Sequence, residues 1–426
     1  MVGRKYRLTM YQQLSSVMRP TVLPFPEARR EVEAHARKLR ASSIELVDLL
    51  RAHQRVFAEE VRADCDFPPF HRAARDGYAV RAADLAAVPA QLRVIGEVRA
   101  GSSLERSIGG GEAAEIMTGA PVPEGADAVV MVEYTQRQDD TVEIQRVIAA
   151  GENVVPRGSE ARCGQVLLSP GTRMGYAQMA AAAAAGKTGV RVYRRPRVAI
   201  LSTGDEVVDV AAQPGPNQIR NSNSYSLAAQ VLAAGGEPVQ LPIAPDDAGV
   251  LRHLIQQGLA TDLLVLTGGV SMGKYDLVEQ VLEQVGAEFF FIGALIQPGR
   301  PVVFGRAARE PGAKPTYFFG LPGNPVSTMV TFELFVRPVL DGLCGAVLSK
   351  LQFVQARLKS DVRTKTGLTR FLPALLTGEL EDTEVERVHW QGSGDIAAAA
   401  RANCYIVVPP DRERLAAGEM VNILLR

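Results

Sequence analysis

Cysteine is scarce in this chain and nowhere clustered. Cys65, Cys163, Cys344 and Cys404 are the four present in 426 residues. None forms a Cys-x-x-Cys pair or sits at Cys/His ligand spacing, which excludes a disulfide framework and a structural zinc site. A reducing cytoplasm is the compartment expected from that usage. Histidine is equally thin: His35, His53, His71, His253 and His389 lack metal-ligand spacing and read as structural residues. Net charge is missing too, because 47 Lys+Arg balance 47 Asp+Glu. No global field then draws the chain to nucleic acid or an anionic membrane, and any anion has to be caught locally. Long apolar runs are also absent. The Ala-rich stretch Met179–Gly186 falls far short of the ~20 residues a bilayer span needs. Met1–Pro20 carries Arg4, Lys5 and Arg7 but no apolar signal core, so export and membrane insertion are not expected.

What is present is an ordinary globular composition, 46% hydrophobic and 22% charged, in a chain long enough for several domains. Residues 1–25 read as a loose extension. Pro26 followed by Ala28, Val32, Ala36 and Leu39 predicts an amphipathic helix; Ser43–Glu60 predicts a second, with Leu46, Leu49, Leu50, Val56 and Phe57 turned inward. Across 64–149 the texture changes to short β-like runs such as Tyr78-Ala-Val80 and Asp127-Ala-Val-Val-Met-Val132, which predicts a small inserted β domain. The material on either side, 26–63 and 150–194, then forms one split, elongated domain. Over 195–344 strands and helices alternate, which predicts an α/β domain with a mostly parallel sheet and ligands at the carboxyl ends of its strands. Residues 345–426 return to β-like runs and predict a compact barrel or sandwich. The fold class expected is therefore α/β multi-domain.

The most informative stretch lies in the α/β part. Asp262-Leu-Leu-Val-Leu-Thr267 has no polar alternation and reads as a strand covered on both faces. It runs into Gly268-Gly-Val-Ser-Met-Gly273 and then Asp276, a Gly-rich turn before an amphipathic helix, suited to letting backbone N–H groups approach an anion. Phe318-Phe-Gly-Leu-Pro-Gly-Asn-Pro325 repeats the idea, with Asn324 as an expected N-cap and Pro325 as the first residue of a helix through Val339. Neither segment has the glycine spacing of a dinucleotide fingerprint or the Lys-Ser/Thr of a P-loop, so neither an NAD nor a Walker-type site is predicted. Ser202-Thr-Gly-Asp-Glu206 follows the first strand; its acids suit Mg²⁺ and equally suit a helix-cap cluster, as do Asp246 and Asp247. Arg300, on the stiff turn Gln297-Pro-Gly-Arg-Pro301, suits a phosphate or a surface ion pair.

Taken in order, Asp76-Gly-Tyr-Ala-Val80, Met117-Thr-Gly-Ala-Pro-Val-Pro-Glu-Gly125, Ser202-Thr-Gly-Asp-Glu206, Thr267-Gly-Gly-Val-Ser-Met-Gly273 with Asp276, Pro298-Gly-Arg-Pro301 and Gly320-Leu-Pro-Gly-Asn-Pro325 resemble the bacterial MoeA family. Its members are molybdopterin molybdenumtransferases and are similar to the E domain of gephyrin. The likeness runs from about Pro26 to the C-terminus. It implies an L-shaped homodimer of four-domain subunits ending in a β-barrel. It also implies a reaction in which adenylylated molybdopterin and molybdate give molybdenum cofactor and AMP with Mg²⁺ assistance, and contact with a molybdopterin adenylyltransferase and molybdoenzyme maturation factors. By this resemblance Asp76, Thr118 and Glu160 line one wall of a cleft between subunits. Glu206, Asp246, Asp276, Arg300, Pro322 and Pro325 line the other, with Arg370 and Ser393 nearby. Catalytic roles fall to Asp76, Thr118, Glu160, Glu206 and Asp276. Substrate binding falls to Gly268, Gly269, Ser271, Arg300, Pro322, Gly323, Asn324, Pro325, Arg370 and Ser393, and Mg²⁺ to Glu206, Asp246 and Asp276. The chain departs from the family pattern at His71-Arg-Ala-Ala-Arg75, where Asp-Asn-Ser-Ala-Met is usual, at Glu160 for Asp, and at Gln297 for a frequent Lys. Two other readings stay open: a molybdopterin adenylyltransferase, which usually comprises the α/β domain alone, and a non-catalytic cofactor-binding scaffold of the same fold.

Overall fold

The computed structural model describes residues 21–269, 277–310 and 312–426. The chain folds as two units, one made of Leu46–His53 and Phe57–Arg191, the other of Met1–Glu45, Gln54–Val56 and Val192–Arg426.

The first unit is β-rich. Its main sheet has six strands in the order Ala128–Met131, Gly77–Val80, Glu112–Ile116, Ala90–Val98, Thr141–Ile144, Thr135–Gln138. Successive residues point to opposite faces, and both faces are covered: Tyr78, Val80, Ala113 and Val130 pack on one side, Ala79, Ala114, Ile116 and Val129 on the other. Gly77 is required at the start of its strand, because a Cβ there would lie 1.8 Å from the Val130 carbonyl oxygen. The Ala-rich helix forms over Tyr176–Ala184.

The helix expected over Ser43–Glu60 is not there. Ile44–Asp48 is extended and Leu49–Ala52 is a single 3₁₀ turn. Asp48 accepts the Leu50 N–H at 2.9 Å, and the Leu49 N–H donates to Thr188 O at 3.0 Å. A short acid that caps its own backbone and a neighbouring chain that takes the next amide outcompete helical propensity here. Leu46 and Leu50, expected inside, are 73% and 80% exposed.

In the second unit, Phe25–Ala36 is the predicted amphipathic helix, burying Ala28, Val32 and Ala36. The sheet behind it is built from β1 (Arg197–Ser202), β2 (Glu237–Gln240), β3 (Leu263–Thr267), β4 (Glu288–Phe291), β5 (Val303–Ala307) and β6 (Thr316–Leu321), in the spatial order β2-β1-β3-β6-β5-β4. The four neighbours β2, β1, β3 and β6 are parallel, and β5 is antiparallel both to β6 and to the edge strand β4. Every residue of β3 is buried, which explains its lack of polar alternation. Helices α1 (Asn223–Ala233), α2 (Ala248–Gly258) and α3 (Leu277–Gln284) connect the strands. After β6, α4 (Pro325–Thr331) passes through a π-helical turn, Phe332–Val336, into α5 (Arg337–Leu343). Ser202 is level with Thr267, and Thr267 with Leu321, so the loops leaving β1, β3 and β6 start side by side.

The C-terminal region is a closed barrel. Its strands β7 (Phe353–Leu358), β8 (Thr369–Thr377), β9 (Glu384–Arg387), β10 (Cys404–Val408) and β11 (Met420–Leu425) run β8-β9-β7-β11-β10, and β10 returns to β8. Leu358, Leu372, Val385, Ile406 and Ile423 fill it. The start of β8 also pairs in parallel with Ile296–Gln297, setting Arg370 opposite Gln297.

Candidate anion-binding site

Beside the starts of these three loops lies a cavity of about 280 Å³ lined by Thr203, Glu206, Asn221, Asn223, Gly268 and Asn324, among others. Its walls are tied together by polar groups. Ser202 Oγ donates to Asn221 Oδ1 at 3.0 Å, and Asn223 Nδ2 donates to Thr267 Oγ1 at 2.9 Å and to Gly323 O at 2.7 Å. Thr267 Oγ1 in turn donates to Pro322 O at 3.1 Å. Gly268 and Gly269 both have positive φ, and a Cβ on Gly268 would come within 2.6 Å of Thr203 O. Only glycine allows that approach. Among the described residues, Thr203 Oγ1 and Asn223 Oδ1 are buried without a hydrogen-bond partner. Buried polar atoms are normally paired, so these two are open to a hydrogen bond from whatever occupies the cavity.

Of the acids at this edge, Asp205 accepts the Asp246 N–H at 3.0 Å and Asp247 caps α2 through the Val250 N–H at 2.8 Å. For these two the helix-cap and turn reading holds. Glu206 and Asp246 keep exposed carboxylates. Among the described residues no group of three or more His, Cys, Asp or Glu is arranged to hold a metal. Ser271 and Asp276 lie outside the described residues.

A second cavity, about 330 Å³, adjoins the first at Asn324 and is lined by Gln297, Arg300, Pro322, Trp390 and Ser393 among others. Gly299, at φ +105°, lets the Gln297–Pro301 turn press on α4, where a Cβ would meet Thr331 Cγ2 at 2.4 Å. Asn324 is the N-cap residue of α4, as expected, but its side chain does not cap: Nδ2 donates to Ser393 Oγ at 3.0 Å. The Val326 N–H is likewise taken by Ser393 O at 3.0 Å. The barrel has thus claimed groups that the sequence assigned to an anion. Arg370 is 7% exposed. Its Nε donates to Gln297 Oε1 at 2.8 Å, and Nη1 donates to the carbonyls of Lys365 and Leu368. Burial lowers its pKa, although a guanidinium remains charged at any working pH.

In the β-rich unit, Asp76 accepts the Thr118 N–H, and that bond holds its carboxyl below the usual aspartate range. Arg72 Nη2 reaches Glu160 Oε1 at 3.0 Å. One segment, Arg72–Asp76, therefore joins both contacts. Two of the departures from the family pattern, a cation at 72 and the longer acid at 160, are partners of each other. Sequence reasoning missed Thr203 as an unpaired group, Asn221, Asn223 and Arg220, which also lines the first cavity. The Asn-rich run before α1 was their only signal.

Two adjoining cavities at the carboxyl edge of a mostly parallel sheet, one completed by a barrel, are the arrangement of a multidomain α/β protein that takes small molecules. Residues 23–186 match the MoeA N-terminal region (domain I and II), 199–342 a probable molybdopterin binding domain, and 355–425 the MoeA C-terminal region (domain IV). The chain belongs to the MoeA family. It is 36% identical over 390 residues to the molybdopterin molybdenumtransferase of Nostoc sp., covering 89% of this chain and 88% of that one. With the Bacillus subtilis molybdopterin molybdenumtransferase it shares 33% identity over 414 residues, 95% of this chain and 94% of the relative. The crystal structure of a molybdopterin biosynthesis moeA protein from Pyrococcus horikoshii OT3 superposes with a TM-score of 0.75 at 30% identity, covering 95% of this chain and all of that one. No described helix is long and apolar enough to cross a membrane.

Proposed function

We propose that this chain inserts molybdate into adenylylated molybdopterin, giving molybdenum cofactor and releasing AMP. The observation that carries the reading is the pair of cavities meeting at Asn324. A reaction that joins two anions must hold them side by side against their repulsion, and proximity alone removes much of the barrier. In the first cavity Thr203 Oγ1 and Asn223 Oδ1 offer unpaired partners to the pterin nucleotide, and Arg220 faces its phosphates. In the second, Arg300 and Ser393 receive molybdate, with the Arg370 charge behind them. The pterin dithiolene supplies the final sulfur ligands, so the protein need offer neither Cys nor His to the metal.

Glu206 and Asp246 fit Mg²⁺ of the kind that one or two carboxylates share with substrate phosphate oxygens, which needs no complete protein cage. When bound, the ion offsets negative charge as the phosphate linkage breaks. The protein residues hold the linkage, keep molybdate adjacent and order the site.

A homodimer belongs to the same proposal. Leu46, Leu50 and Tyr176, at 73%, 80% and 88% exposed, leave the β-rich unit an apolar surface that a second copy would cover. Asp76, Thr118 and Glu160 then act on the substrates in the assembled dimer. Four cysteines present as thiols suit a reducing cytoplasm. Purified protein given adenylylated molybdopterin, Mg²⁺ and molybdate should yield AMP and molybdenum cofactor together. Adenylylation of free molybdopterin by ATP would instead make it an adenylyltransferase, and binding without turnover would make it a scaffold.

A further inference from the structure

The four cysteines are scattered along the sequence, but the fold of the β-rich unit brings two of them face to face. Val61–Arg62 pairs antiparallel with Val166–Leu168, with Arg62 opposite Val166, and an isolated bridge sets Phe67 opposite Ala161. Residues 63–66 on one chain and 162–165 on the other fill the space between those rungs, so the register places Cys65 opposite Cys163. Opposed residues of an antiparallel pair share a face, with Cα atoms about 4.5–5.5 Å apart, inside the roughly 4.4–6.8 Å that a disulfide spans. The two chains are held together here. Ala63 N–H donates to Gln165 O at 2.9 Å, Gly164 N–H to Ala63 O at 2.8 Å and Phe67 N–H to Ala161 O at 2.7 Å. Between these, Asp66 Oδ1 takes the Cys163 N–H at 3.0 Å, and Cys163 Sγ donates to Asp64 O at 3.3 Å. That carbonyl belongs to the peptide bond leading into Cys65, so covalent geometry keeps the Cys163 sulfur within about 6 Å of Cys65 Cα. Both thiols are exposed, unlike Cys344 and Cys404, and a small oxidant can reach them.

We propose that Cys65 and Cys163 form a reversible dithiol–disulfide couple whose oxidised state clamps the hairpin that carries Glu160. The oxidant is a low-molecular-weight disulfide of the glutathione class. One protein thiolate attacks a sulfur of that disulfide and the first small thiol leaves; the second protein thiolate then attacks the mixed disulfide and releases the other small thiol. Two protein S–H bonds and one small S–S bond are exchanged for one protein S–S bond and two small S–H bonds. The protein pair gives up two electrons, and its two protons end on the small thiols. Partial loss of hydration and then the Asp64 carboxylate hold the Cys65 thiol above its ordinary pKa, which slows closure at neutral pH without changing its products. The Glu160 and Ala161 N–H groups both donate to Phe67 O, at 2.9 and 3.1 Å. This rung lies two residues from the sulfur on either chain, so a bond between the sulfurs restricts its opening. Exposed disulfides are also those that reductants reopen. The couple stands whatever part Glu160 takes in the reaction.

The test takes the full chain, reduced and then incubated at pH 8 in glutathione buffers of increasing oxidised fraction, beside Cys65→Ser and Cys163→Ser. Mass spectrometry without reduction should find wild type lighter by two hydrogen atoms, with one pair of peptides joined through Cys65 and Cys163, and dithiothreitol should restore both thiols. Each single variant should instead stop at a mixed disulfide on its remaining exposed cysteine, because no second thiol stands opposite to displace the glutathione. Hydrogen exchange at the Glu160 and Ala161 amides should slow at least threefold when wild type is oxidised and stay unchanged in the variants. Wild type that accumulates mixed disulfides on both cysteines, or that joins two chains through either, overturns the couple. An internal bond that leaves exchange at Glu160 and Ala161 unchanged overturns the clamp.

Discussion

Thr203→Val should make the ligand-free protein more stable and a poorer binder. Thr203 is 4% exposed and its Oγ1 has no partner among the described residues. A buried unsatisfied hydroxyl costs about 1–3 kcal/mol, and valine has the same shape and β-branched rotamer preference. Taking the low end, the substitution should gain about 1 kcal/mol and raise the melting temperature of its unit by about 2 °C. A pterin nucleotide that pairs with Oγ1 would lose one hydrogen bond of about 0.5–1.5 kcal/mol, a roughly two- to tenfold weaker dissociation constant. Thermal unfolding without ligand and titration with adenylylated molybdopterin read the two effects. A valine variant that melts lower and binds as well as wild type would refute the reasoning, since the hydroxyl would then serve the fold.

Gly77→Ala should disrupt the β-rich unit, because its Cβ would stand 1.8 Å from a main-chain oxygen that cannot yield; overpacking of this kind costs about 1–3 kcal/mol or more, to be read from urea unfolding of that unit. His35 stacks on Phe290 at 4.0 Å and contacts Tyr317 Oη at 3.0 Å, and burial lowers its pKa, only partly opposed by Glu31. Its folded pKa lies below the ordinary 6.5, so the unfolded chain binds the proton more readily and stability should decline as pH falls below that value. A His35→Asn variant should lose part of that dependence, and an unchanged pH profile would rule His35 out as its source. Cys65 and Cys163 are exposed, whereas Cys344 and Cys404 are buried and burial pushes the Cys404 thiol up to about 11. A chromogenic disulfide reagent at pH 8 should therefore modify two thiols in the native protein and all four after denaturation, and rapid native modification of all four would contradict the burial.

Much of the α/β part was legible because its signals are local. A strand buried on both faces must be apolar throughout, and Asp262–Thr267 is nearly so. Gly268 and Gly299 were readable as turns because only glycine tolerates those contacts. Ser43–Glu60 misled for an equally physical reason: its apolar spacing fits a helix, yet Asp48 diverts the backbone, and leucines left outward do not declare themselves in sequence. The groups that shape the site were illegible because they are long-range. Arg370 meets Gln297 across 73 positions and Arg72 meets Glu160 across 88. That Asn324 serves Ser393 rather than its own helix depends on where the barrel docks against α4.

A crystal structure with AMP and molybdate bound together, using molybdenum anomalous scattering to find the metal, would test the central claim most directly. The account predicts the AMP phosphate in the cavity of Glu206, Arg220 and Asn223, and molybdenum in the cavity of Gln297, Arg300 and Ser393, with Asn324 between them. Molybdenum bound elsewhere, or the two ligands competing for a single cavity, would contradict it.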